Sequence, residues 1–450
     1  MSLSSPIFLF FFLPLCYLAY RLCRKSKTKN ILLCAASLVF YAFGQLKCVP
    51  LFLGSVVINY GAGLLLRRGK GRPVLIAAVA LNVALLGVFK FAPELGAAGI
   101  LLPLGISFFT FQGLSYVIDT YRNPERGTAD FGKLFLYIAF FPRLIAGPIV
   151  KYHEIEDQLL VREETPDKTA EGIRRFIVGF AKKVLVAEPM AVLADGVMES
   201  FGSAGPNDFR LAWIFAISYA LQIYYDFSGY SDMAIGIGKM FGFTFAENFD
   251  HPYGASSIRE FWRKWHISLS SWFKEYVYIP LGGNRKGKTR AMINRLIVFL
   301  CTGIWHGANW TYVCWGVGHG LLASLEDMGV IPVKKLAASR AGRVLNRIYT
   351  LLAVTLLFVI FRAPDLGTGF GIIMAMFTSP AAAANNLLLI RLLTPAALAA
   401  LGIALLLCGN LPGKWKLKET QASVLCLVLF VLSVLAMAKG NFTPFIYAQF

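Results

Sequence analysis

The chain carries five histidines, and one of them, His306, lies between two tryptophans in Cys301-Thr302-Gly303-Ile304-Trp305-His306-Gly307-Ala308-Asn309-Trp310. Imidazole changes charge near neutral pH, so its place in a long apolar stretch calls for either proton chemistry or a neutral, hydrogen-bonded packing role. His319 follows in Trp315-Gly316-Val317-Gly318-His319-Gly320, where the glycines permit close helix approach. Read alone, His319 is a packing or hydrogen-bonding residue. His266 shares i, i+3, i+4 and i+7 spacing with Arg259, Trp262 and Arg263, which predicts a single stripe along a helix. The bland reading of that stripe is a polar edge facing lipid headgroups. Asp226 and Asp232 close an apolar run rich in hydroxyls, Leu221–Asp232. Buried carboxylates there need partners, and would orient a histidine or bind arginine; a solvated span end is the other reading. His153 and His251 sit in polar surroundings and give no signal.

Several chemistries find no pattern to rest on. Zinc needs three or four converging ligands, yet no two histidines are spaced i, i+4 and no H-E-x-x-H occurs, so no metal site is expected. No G-x-S-x-G supports a serine triad. Gly236-Ile237-Gly238-Lys239 is not a phosphate loop and is expected to pack helices. The eight cysteines are scattered without a Cys-x-x-Cys pair and read as small core residues.

The elements that must position these residues are set by an apolar composition. Of 450 residues, 57% are hydrophobic and 15% charged, against about 25% charged in an ordinary soluble protein. So much apolar surface predicts an all-α polytopic membrane protein. The net charge of +19 would suggest nucleic acid in a soluble chain. Here the basic residues lie between apolar runs, as cytoplasmic loops of membrane proteins require, and no nucleic-acid partner is expected. The first twenty residues lack Lys and Arg, so they read as a retained span rather than a secretory signal.

Apolar runs predict spans near 5–22, 31–48, 50–66, 73–92, 100–120, 133–149, 209–233, 296–312, 313–330, 346–362, 386–409 and 421–438. Some are short of the ~20 residues a crossing needs, so about eleven or twelve crossings with re-entrant or tilted pieces are expected. Within one membrane domain over 1–450, residues 1–150 form N-terminal helices and 209–330 the core that carries the histidines. Basic clusters at Arg21–Lys29, Arg67–Arg72, Arg285–Arg295, Lys334–Arg347 and Lys414–Lys418 mark inner loops. That places both termini outside, including the tail 439–450. The path of 150–208 is left open. Residues 257–280 form a basic, Trp-rich amphipathic helix expected to lie in the interface against membrane lipids. Eleven helical residues beyond Arg295, His306 falls roughly 16 Å deep, about half of a ~30 Å hydrocarbon core.

Assembled in order, YYDFSGYSDMAIGIGKMFGF, NFDHPY, SIREFWRKWHISLSSWFKEYVYIPLGGNR, GIWHGANWTYVCWGVGHG and PFIYAQF, with FFPRLIAGPIV earlier, resemble the membrane-bound O-acyltransferase family, MBOAT. The likeness is closest to its bacterial branch for alginate O-acetylation, related to enzymes of peptidoglycan and cellulose O-acetylation and teichoic-acid D-alanylation. The resemblance implies helices around a central tunnel, with His306 as the catalytic histidine and His266 as a second polar family position. It implies acetyl-CoA as donor substrate with no bound cofactor. It further implies that the acetyl group passes outward to a periplasmic partner of SGNH hydrolase type, which would acetylate a polysaccharide. The setting implied is the bacterial inner membrane.

The chemistry of such a transfer suggests further roles. A neutral histidine removes the acceptor hydroxyl's proton. Asn309, or a tryptophan N–H, would donate to the oxyanion. Trp305 and Trp310 would wall out water, with Asp226 and His319 in support. Arg259, Arg263 and Lys264 would meet the phosphates of CoA, and Trp262 its adenine. Tyr447, in a tail resembling an aromatic motif of the teichoic-acid system, is a candidate first acyl acceptor. Ala448 departs from the usual FIYFQF there, and an aromatic interfacial anchor is the plainer reading. A transporter and a non-catalytic export subunit are the competing functions. The sequence shows no inverted repeat of the kind many transporters carry.

Overall fold

In the computed structural model, residues 1–91, 96, 101–201, 208–409, 418–439 and 445 are described, and the described residues form helices and loops without strands. The helices are α1 (Leu13–Leu22), α2 (Ser26–Gln45), α3 (Val49–Arg67), α4 (Arg72–Phe91), α5 (Ile106–Arg122), α6 (Phe131–Ala139), α7 (Tyr152–Ile155), α8 (Pro166–Ala181), α9 (Glu188–Phe201) and α10 (Phe209–Met240). They continue as α11 (Ile258–Lys264), α12 (Ile267–Phe273), α13 (Lys288–His306), α14 (Trp310–Met328), α15 (Val333–Leu336), α16 (Arg340–Arg362), α17 (Leu366–Thr378), α18 (Asn386–Leu392), α19 (Pro395–Leu407) and α20 (Glu419–Ala438). The protein is thus an all-α polytopic membrane protein.

Among the described residues, four helical stretches are long and apolar enough to cross a bilayer: Ser26–Arg67, Arg72–Phe91, Arg340–Arg362 and Glu419–Ala438. The pair Leu366–Thr378 and Ala383–Leu392, bent by 108°, has the composition of a broken span or a re-entrant loop. Several expected spans take other forms. The run 133–149 is helical only to Ala139, then turns through Phe141–Arg143, where Pro142 cannot extend the ladder. The run 386–409 splits into α18 and α19 at Thr394-Pro395. The open segment 150–208 contains α7 and α8, a π-helical turn at Lys182–Ala187, and α9.

The chain divides into two compact units. Among the described residues, the first comprises those of Met1–Phe180 and Tyr230–Glu247 with Phe445. Its apolar helices meet through small residues: a Cβ on Gly113 of α5 would fall 2.5 Å from the Asn59 amide of α3. Asn59 and Asn82 of α4 exchange amide hydrogen bonds of 3.2 and 3.0 Å, so neither polar group is left bare in an apolar setting. Gly172 of α8 and Gly236 near the end of α10 touch backbone to backbone. That gives Gly236 the packing role its sequence suggests. Asp232 is held by Arg175 at 2.8 Å, which in turn binds Glu247.

The second unit comprises Ala181–Gly229 and Asn248–Thr443. At its centre α13 and α14 form a hairpin. A Cβ on Gly303 would lie 2.5 Å from the Tyr312 carbonyl oxygen, and one on Gly316 would lie 2.4 Å from that of Phe299. Two glycines therefore let the helices close to backbone contact, which the sequence GIWHGANW…WGVGHG encodes directly. Asn309 turns the chain between them: its side chain accepts from Thr311 N at 3.0 Å and caps α14.

The expected single helix over 257–280 is broken. Ser257 caps α11, accepting from Glu260 N at 3.0 Å. The helix stops at Trp265-His266, where His266 takes φ 44°, and α12 then begins at Ile267. A left-handed histidine costs roughly 1–3 kcal/mol and persists only where the surroundings fix it. Here Ile267 N donates to Asn248 O at 3.0 Å, and Asp250 N donates to Lys264 O at 2.9 Å, so segment 248–250 holds both sides of the break. In consequence His266 leaves the predicted stripe of Arg259, Trp262 and Arg263 and turns into the core, 1% exposed.

Candidate active site

His306 is the last residue of α13 and is buried. Rings from three helices enclose it. Trp305 of its own helix stands 4.6 Å away between centroids, Trp315 of α14 5.2 Å and Phe361 of α16 4.9 Å, the last two edge-on. Such walls exclude water. Trp310, the other tryptophan flanking His306 in sequence, is 71% exposed and forms no part of the enclosure. One turn of helix separates Trp315 from the hairpin tip, and that turn delivers it instead. The Asn309 side chain is engaged at the turn: its Nδ2 donates to Pro364 O at 2.7 Å while its oxygen caps α14. The Trp315 indole N–H is buried and has no hydrogen-bond partner among the described residues.

His266 has a different setting. Its Nδ1 lies 3.2 Å from Asn248 Oδ1, which also accepts from Ser268 Oγ at 2.8 Å. An amide oxygen can only accept, so Nδ1 carries the proton and Nε2 is the acceptor nitrogen. Burial pushes the His266 pKa well below the usual imidazole range. Phe227 packs edge-on against the ring at 4.6 Å, and Trp305 lies 6.5 Å away. Trp305 thus touches both histidines. Asp226, beside Phe227 on α10, is bound by Lys183 at 2.8 Å, with Glu188 at 3.9 Å from the same ammonium. Asp226 is thus paired with a lysine of the π-helical turn. All three groups are buried.

His319 is fully buried in an aromatic cage, stacked on Phe261 at 6.1 Å and met edge-on by Trp262 and Trp315, each at 5.2 Å. Neither ring nitrogen has a hydrogen-bond partner among the described residues. It packs, as the reading of the residue by itself expects.

A cavity of about 360 Å³ lies in the same unit, and none of the three histidines is among its lining residues. Arg259, Trp262 and Arg263 from α11 line it, together with Lys274, Arg295 and Thr302. Four cations with an aromatic wall suit a polyphosphate carrying a planar base. Lys264 stands apart and pairs with Glu260 at 3.3 Å. Sequence reasoning used Arg295 only as a marker of membrane side. Yet Arg295, Phe299, Thr302 and His306 lie at i, i+4, i+7 and i+11, one face of α13, and that spacing is visible in the sequence. The cavity climbs this face to Thr302, one turn short of His306. Lys274 and Asn248 carried no comparable signal. Tyr447 lies outside the described residues.

Residues 9–331 match the profile of MBOAT, membrane-bound O-acyltransferase family. The chain belongs to this family. The acyltransferase is 36% identical, over the whole of both chains, to a protein of Azotobacter vinelandii named "Probable alginate O-acetylase AlgI". It is 41% identical to the protein of that name in Pseudomonas aeruginosa, over 84% of this chain and 75% of the relative. A "Peptidoglycan O-acetyltransferase" of Helicobacter pylori is 36% identical over 83% of this chain and 79% of its own length. The MBOAT protein described here is therefore an O-acyltransferase, and its buried histidines are to be read against acyl transfer to oxygen.

Proposed function

We propose that this protein takes acetyl from cytoplasmic acetyl-CoA and passes it across the bacterial inner membrane to a hydroxyl, for O-acetylation of an alginate-like extracytoplasmic polysaccharide. The observation that carries this reading is the basic, aromatic cavity that follows one face of α13 to within a turn of His306. The names of the relatives favour an acetyl donor and a polysaccharide end product. The distribution of Lys and Arg favours a periplasmic side for both termini, where a partner of SGNH type would receive the acetyl group.

In this mechanism Arg259, Arg263, Lys274 and Arg295 hold the phosphates of CoA, and Trp262 faces its adenine. The thioester reaches His306. The imidazole takes the proton of the acceptor hydroxyl as its oxygen attacks the thioester carbonyl carbon. The tetrahedral oxyanion receives a hydrogen bond from the Trp315 indole N–H, which has no other partner among the described residues. Collapse breaks the carbon–sulfur bond, and the imidazolium returns the proton to the departing CoA thiolate. His266, locked as the Nδ1–H tautomer, presents Nε2 as a second proton acceptor at the same tryptophan wall. The first acceptor is either the Tyr447 phenol or a hydroxyl of the partner. Mass spectrometry after incubation with acetyl-CoA decides, since acetyl on Tyr447 requires the former and an active Tyr447→Phe variant excludes it.

The test of the whole reading is reconstitution with labelled acetyl-CoA. Transfer should be lost in His306→Ala while the protein still folds in the membrane. Retained transfer would identify a non-catalytic export subunit. Donor flux without acyl transfer or hydrolysis would identify a transporter.

A further inference from the structure

A second cavity, of about 340 Å³, shares a wall with the first. Arg259, Asn284 and Arg295 line both, while Lys288, Met292 and Asp327 line only the second. The wall is held by one carboxylate. Asp327, near the end of α14, accepts from Arg259 Nη1 through one oxygen and from Arg295 Nη2 through the other. The preceding residue does a different job: Glu326 accepts from the backbone N–H groups of Ile258 at 2.7 Å and Arg259 at 3.2 Å, fixing the start of α11 against α14. Glu326 is 3% exposed, whereas the Asp327 side chain is 28% exposed. Anchoring and charge pairing are thus divided between neighbours.

A partly exposed ion pair contributes little net free energy, because water and salt screen it. A polyphosphate offers several oxygens in the geometry a guanidinium fork prefers, and more charge than one carboxylate. Placed at this wall, it would exchange with Asp327 on the two arginines. Once Arg259 and Arg295 are released from Asp327, nothing else among the charged groups lining the two cavities bridges them. Lys288 then adds a cation on the far side, and Met292 and Met328 add adaptable apolar surface.

We propose that the two cavities are halves of one donor site, and that the donor's phosphates bind by displacing Asp327 from Arg259 and Arg295. Asp327 acts as a built-in competitor. It admits a polyanionic thioester and disfavours thioesters or small anions too weakly charged to make the exchange. This rests on the acetyl-CoA reading above, but its central event, carboxylate-for-phosphate exchange, is testable without that donor.

Binding to the purified full-length protein in detergent would be measured with three probes: inorganic pyrophosphate, acetyl-CoA and S-acetyl-pantetheine, which lacks the nucleotide phosphates. Asp327→Asn should bind pyrophosphate and acetyl-CoA about fivefold more tightly than the wild type, with acetyl-pantetheine unchanged. Asp327→Glu keeps the charge and should bind like the wild type, which separates charge from damage to the fold. Adding Arg295→Gln to Asp327→Asn should abolish the gain. Unchanged or weaker pyrophosphate binding in Asp327→Asn would overturn the exchange. If pyrophosphate tightens but wild-type protein binds acetyl-CoA no better than acetyl-pantetheine, the exchange stands and the assignment of the site to an acetyl-CoA donor falls.

Discussion

Three histidines are buried within one unit of this molecule, and they occupy three kinds of surroundings. His306 stands at a helix end inside a ring of aromatic edges. His266 stands at a break between two helices, with its tautomer set by Asn248. His319 stands mid-helix in a cage with no polar partner among the described residues. Burial is common to all three, so burial alone does not mark a reactive residue. What differs is where along its element each one sits. A helix end or a break leaves room for a substrate and for a partner that orients the ring; a mid-helix site packed on all sides does not. The strained φ of His266, maintained by hydrogen bonds from segment 248–250, is the kind of local cost that structures keep at working positions.

The contrast can be broken most decisively at His306. His306→Ala is expected to lower acetyl transfer by about 10²–10⁴-fold, the usual worth of a general base, measured with labelled donor on protein that elutes normally in detergent. A smaller loss, roughly ten- to a hundredfold, is expected for Asn248→Leu, which frees the His266 ring from its tautomer lock without removing it. A rate equal to wild type would reduce His266 to a packing residue. Away from the histidines, Arg263→Ala should raise the apparent KM for acetyl-CoA about tenfold with little change in kcat; an unaltered KM would remove the phosphate role. His319→Phe should change transfer less than about threefold, and a loss comparable to that of His306→Ala would erase the distinction drawn between them.

A pH experiment sharpens the comparison further. Because the folded-state pKa of His266 is depressed by burial, the unfolded chain takes up a proton below ~6.5 that the folded protein refuses. Stability should therefore fall as pH drops through and below ~6.5, by at most about 1.4 kcal/mol per pH unit from this group. His266→Gln should flatten the dependence in thermal scans between pH 7.5 and 5. An identical slope in the variant would show that other groups dominate.

Much of the organisation was legible beforehand because it depends on composition and short-range spacing. Alternating apolar runs and basic clusters sufficed for a helical membrane protein. The glycines of GIWHGANW and WGVGHG announced the tight hairpin of α13 and α14. The family followed from motifs kept in order. Even the face of α13 joining Arg295 to His306 was readable from helical period. Other features were not. The break at His266 depends on hydrogen bonds from residues 248–250, which no local pattern around 257–280 reveals. The exposure of Trp310 and the tie from Asn309 to Pro364 depend on where α16 and its following loop come to rest.

The sequence by itself determined that this chain is a helical membrane acyltransferase and that His306 is its most conspicuous ionisable residue, because hydropathy, charge placement and contiguous motifs are local quantities. Only the tertiary structure decided which rings enclose that histidine, which groups hold its neighbours, and that Asp327 rather than open space faces Arg259 and Arg295. Those are contacts between residues distant in the chain. Side-chain partnerships of that kind arise from packing, and packing has no period a sequence can display.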